Sequence, residues 1–151
     1  MKIKTIQELE TLRPCPEGLA FAKSHASLSE AWEKCENGQW MFWLLRMIKP
    51  IGSIRKIESK FEAVDTSQVY AETDHSAARA RTSAMAARAR YRANPNDVTA
   101  AEADSAAAAY NAAFKAAYTA EALWSANWIR ANVPNPFKKS VVGKVRANSI
   151  S

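Results

Sequence analysis

The sequence predicts an all-α protein, with several short N-terminal helices packed on the base of a long alanine-rich antiparallel helical hairpin. Three observations carry that expectation. No glycine lies between Gly52 and Gly143, and Pro95 is the only proline from Gly52 to Asn132. Alanine supplies 24 of the 61 residues from 71 to 131. It has the highest helix propensity, whereas glycine and proline are the main breakers. Apolar residues outside this stretch recur three and four apart, the spacing of one helix face.

The elements follow in order. Thr5 can cap a first helix with Ile6, Leu9 and Leu12 on one face, and Pro14 ends it. Pro16 suits the first position of a second helix, followed by Leu19, Ala20 and Ala22. Ser27 and Glu30 have capping-box spacing, which opens a third helix through Ala31, Trp32 and Cys35. Asn37-Gly38 is expected to end that helix as a left-handed cap. Residues 39–48 are apolar almost all round (Trp40, Met41, Phe42, Trp43, Leu44, Leu45, Met47, Ile48), as in a helix buried on most sides. Pro50 and Gly52 are expected to close it. Ile54, Ile57, Phe61 and Val64 then place a fifth helix from near Ser53.

One helix is expected over residues 67–93. Pro95 forbids a smooth run-through and pushes Asn94 out of helical geometry. Asn96 or Asp97 then caps a last helix to about residue 131, roughly 50 Å long at 1.5 Å per residue. Alanine lets the two long helices approach closely. Ala103, Ala106, Ala107, Tyr110, Phe114, Ala117, Trp124 and Trp128 are read as the packed stripe. Small residues near the turn and rings far from it imply a narrow tip and a wide base. The expected core is Trp32, Trp40, Trp43, Leu44, Phe61, Phe114, Tyr118, Trp124 and Trp128.

With 151 residues the chain fits one domain, read here as 1–137, followed by a basic and poorly ordered tail, 138–151. No apolar run approaches the roughly 18 residues of a membrane span, and the N-terminus lacks a signal-peptide core. Cys15 and Cys35 read as reduced thiols of a cytoplasmic protein, since two cysteines are no disulfide framework. Net charge is +6 and unevenly spread. Residues 76–95 hold Arg79, Arg81, Arg88, Arg90 and Arg92 with no acid, and the tail adds Lys138, Lys139, Lys144 and Arg146. Such segments attract nucleic acid, acidic proteins or membrane surfaces.

No catalytic constellation stands out. His25 and His75 fit no metal spacing, and the adjacent Asp74-His75 pair points about 100° apart on a helix. Four scattered glycines build no phosphate loop. Glu30, Glu33 and Glu36 read as a solvated face. The expectation is a non-enzyme without cofactor or metal. The candidate partner-binding residues are therefore Arg79, Arg81, Arg88, Arg90 and Arg92. On a helix wheel Arg81, Arg88 and Arg92 fall together, with Arg79 and Arg90 roughly opposite. Arginines at that spacing track phosphates or clamp carboxylates. They equally suit the C-terminal end of a helix dipole, with Arg88 expected roughly opposite Glu102.

Residues 15–23 (Cys-Pro-Glu-Gly-Leu-Ala-Phe-Ala-Lys), the Ala31-Trp-Glu-Lys-Cys35 helix and Gly38-Gln-Trp-Met-Phe-Trp-Leu-Leu45 form a recurring pattern. With Ile129-Arg130-Ala-Asn-Val-Pro-Asn-Pro-Phe137, it resembles alanine-rich proteins of bacteria and phages described as immunity proteins. The resemblance covers roughly residues 10–48 and 100–137, and it brings no catalytic residues. It implies a small helical protein that binds a macromolecule: a toxin for a bacterial copy, a host-defence component for a phage copy. The alternative from charge alone is a basic accessory protein bound to nucleic acid. Neither reading needs a membrane, and neither sets an oligomeric state.

Overall fold

The computed structural model describes residues 3–138, with Gln68, Val69 and Glu72 described by backbone alone. Seven helices and no strand occur among them: α1 (Ile6–Thr11), α2 (Pro16–Lys23), α3 (Leu28–Lys34), α4 (Gly38–Ile48), α5 (Ile51–Glu62), α6 (Ser67–Ala93) and α7 (Asp97–Asn132). The protein is all-α. Of the basic tail only Lys138 is described, and the expectation for 139–151 lies outside the described residues. By internal contacts the described residues divide into two compact units, Cys35–Val133 and residues 3–34 with 134–138.

In the first unit α6 packs along α7 and α4 packs on α7. The hairpin turn is Asn94-Pro95-Asn96, as the proline requires. Asn96 caps α7 by accepting the Thr99 N–H at 3.0 Å, while Thr99 Oγ1 accepts the Asn96 N–H at 3.1 Å. Both donors would otherwise be orphans of the first turn. Between the two helices the half-buried α7 positions are Ala103, Ala106, Tyr110, Ala113, Ala117, Ala120 and Trp124. Ala87 is the one fully buried residue among the described side chains of α6.

The expected packed stripe is corrected here. Phe114 is 59% exposed and Tyr118 44% exposed, so neither belongs to the core. Close helix approach favours small side chains along this seam, which leaves Phe114 and Tyr118 on its flanks. Buried instead are Met41, Leu45, Ile54, Ala122, Ala126, Ile129 and Val133. The rings gather around Phe61, whose centroid lies 4.9 Å from Phe42, 5.5 Å from Trp124 and 5.1 Å from Trp128. Of the remaining expected core residues, Trp40, Trp43 and Leu44 are half-buried and Trp32 is fully buried.

Asn37-Gly38 is not a left-handed C-cap. Asn37 opens α4, its Oδ1 accepting the N–H of Gln39 at 3.0 Å and of Trp40 at 3.2 Å. Gly38 is the first helical residue, and it is glycine because α7 leaves no room for a side chain there. A Cβ on it would overlap the Ser125 side chain and lie 2.8 Å from the Ala126 nitrogen. Pro50 ends α4 as read, with Lys49 before it extended at ψ 151°, and it also starts the next element, so Gly52 does not act as a stop. Its φ of −59° suits the N-cap of α5, so that helix begins at Ile51 and includes Gly52. Arg46 and Glu58, 2.7 Å apart, join α4 to α5.

In the second unit the sequence's local signals act as read. Thr5 and Glu8 form a complete capping box. Ser27 Oγ accepts the Glu30 N–H at 3.2 Å, and Glu30 reaches back to the N–H of Ala26 at 2.9 Å. Leu9, Ala22, Leu28, Ala31 and Trp32 are buried. The Pro134–Phe137 segment is clasped to α3: Asn135 Nδ2 donates to the Ser29 carbonyl at 3.2 Å and to Glu33 at 2.9 Å. Phe137 meets Trp32 edge-on at 6.2 Å.

Candidate functional site

All five candidate arginines are exposed on α6. The hairpin divides them instead of gathering them. Its seam has two flanks, each a shallow groove between α6 and α7. One flank is lined by Ser83, Arg90, Asp97, Val98 and Glu102, among others. Here Arg90 Nε lies 3.6 Å from Glu102 Oε2. Arg88, expected opposite Glu102, does not make that pair: the three-residue turn sets the register so that Arg90 meets it. Both partners are at least half exposed, so the pair contributes little, about 0–1 kcal/mol.

The other flank carries Arg81 and Arg88. Around them stand Met85 and Tyr91 from α6 and Tyr110, Asp104 and Asn111 from α7, over alanines 84, 100, 103 and 107. Met85 is 64% exposed. Tyr110 lies 6.3 Å from the ring of Phe114, which extends this apolar edge along α7. Farther along, the Tyr118 hydroxyl donates to Gln39 Oε1 at 3.1 Å, where α4 begins. Among the described residues Arg81 and Arg88 have no ion pair or hydrogen-bonded acceptor, although Asp104 lines the same groove. Arg79 and Arg92 likewise have none, and neither lines this groove.

Sequence reasoning missed the apolar half of this flank. Phe114 was assigned to the seam, and Met85 and Tyr91 were not singled out. A legible signal existed: with Val98 and the half-buried Tyr110 these are the only large apolar side chains in the outer half of the hairpin, and an alanine seam leaves most such side chains outside it.

The other chemistry-bearing residues stay apart. His25 is half-buried, with Nδ1 2.8 Å from the Phe21 carbonyl and its ring 4.5 Å from that of Phe21. His75 and Asp74 are exposed on α6. Cys15 is exposed and Cys35 buried, both as free thiols. Burial pushes the Cys35 thiol above its ordinary range, and the Asn37 carbonyl accepts its S–H at 3.4 Å. The Cys35 carbonyl in turn accepts from the Arg130 guanidinium. Among the described residues no three His, Cys, Asp or Glu side chains are grouped to hold a metal. No described helix is long and apolar enough to cross a membrane. No family model, curated protein or solved structure matches this chain.

Proposed function

We propose that the chain is a non-enzymatic binding protein, an immunity-like or phage anti-defence inhibitor, that holds a protein partner on its helical hairpin. The observation that carries this reading is the Arg81–Arg88 flank, where unpaired guanidiniums share a groove with exposed Met85 and Tyr91. Arginine, methionine and aromatic side chains are the types enriched at the centres of protein interfaces. A fold with its largest rings drawn into Phe61's cluster and its outer hairpin built from alanine spends little of its own core there. The resemblance to immunity proteins supports the same class of activity.

The test is capture from the source cell with the tagged chain and with an Arg79→Glu, Arg81→Glu, Arg88→Glu variant. Exposed charge changes alter stability little, so the variant keeps its helical circular dichroism. It is expected to lose the captured protein. Full-strength capture by a folded variant contradicts the reading. The nucleic-acid alternative makes a different prediction: binding of DNA or RNA that collapses steeply with salt, as counterion release demands.

A further inference from the structure

We infer that the groove bearing Arg81 and Arg88 receives an acidic amphipathic helix of the partner, an inference that rests on the protein-binding reading above. Three features of the groove select that occupant. It runs between two antiparallel helices, and alanines 84, 100 and 103 are its half-buried floor. Small floor residues let a third helix backbone lie close, as helix grooves accept ridges. Met85, Tyr91 and Tyr110 offer apolar contact to the inner stripe of such a helix. Arg81 and Arg88 are seven residues apart, hence two turns on one edge of α6. Neither has an acid of its own, and carboxylates at the same spacing on an incoming helix would meet both.

Asp104 sharpens the prediction. It lines the α7 side of the groove, so it repels an acid there and favours a cation. The fitting helix therefore carries its acids on the edge facing α6, apolar residues in the middle and a lysine on the edge facing α7. Electrostatic complementarity of this kind fixes orientation and suppresses wrong partners.

The experiment uses the full chain and a labelled, capped peptide of about 18 residues, long enough to be helical. Its glutamates are two turns apart on one edge, with leucines in the middle and lysine opposite. A control of identical composition scatters the glutamates around the helix. Fluorescence anisotropy is expected to show the patterned peptide binding at least about tenfold tighter. Arg81→Glu with Arg88→Glu should lose that binding and regain it for a peptide with lysines in place of the paired glutamates. Ala107→Trp, at an exposed position in the groove, should block both while the chain stays folded.

Equal affinity for the two peptides, or binding of neither, overturns the inference. So does displacement of the patterned peptide by single-stranded DNA. Self-association of the chain that Ala107→Trp abolishes would assign the groove to a second copy and overturn it too. Failure here is separable from failure of the proposed function. If the charge-reversed variant loses its captured protein while no peptide binds, arginine-borne recognition stands and the helix in the groove does not.

Discussion

Two carboxylates show how single residues set local stability. Glu8 accepts the backbone N–H of Lys4 at 2.6 Å and of Thr5 at 3.1 Å, and these bonds hold its carboxyl below its ordinary 4.5. Glu30 is lowered first by Lys34, 2.7 Å away, and then by the Ala26 N–H. A carboxyl with a depressed native value stabilises the fold above its unfolded value and loses that contribution as pH falls. Helical signal is therefore expected to weaken as pH drops below about 4.5, where these caps protonate. In a Glu8→Gln, Glu30→Gln variant the acid side of the circular dichroism titration should flatten. An unchanged acid limb would mean the caps contribute nothing. Such caps are legible in sequence because every partner lies within four residues. The Arg90–Glu102 pair was not, since it depends on how the Pro95 turn sets the register between two helices.

At the scale of elements, the helices were legible and their faces less so. Breakers and propensity located α6 and α7 because both act along the chain. Which side of α7 is buried depends instead on what α6 can accommodate at close range, and alanine displaced Phe114 from the seam. Gly38 was misread for the same kind of reason: its role comes from Ser125 and Ala126, nearly ninety residues away. This account expects Gly38→Ala to destabilise the fold by about 1–3 kcal/mol, as overpacking does. Phe114→Ala, at an exposed ring, should stay within about 0.5 kcal/mol. Urea unfolding followed by circular dichroism measures both. The reverse order would return Phe114 to the core and Gly38 to a turn.

For the whole molecule, composition identified a basic helical chain and named its arginines as candidate partner-binding residues. It did not reveal that the hairpin splits them, pairing Arg90 with Glu102 on one flank and leaving Arg81 and Arg88 beside apolar side chains on the other. That distinction exists only once two helices are set side by side. It turns a diffuse basic segment into one flank that combines arginine, methionine and tyrosine side chains. Hydrogen–deuterium exchange of the chain, free and bound to its captured partner, tests this most directly. Binding to this flank shields the outer hairpin, so slowed exchange is expected over residues 79–92 and 100–114. Slowed exchange over residues 38–48, with the outer hairpin unchanged, would contradict the account and move the binding face to α4.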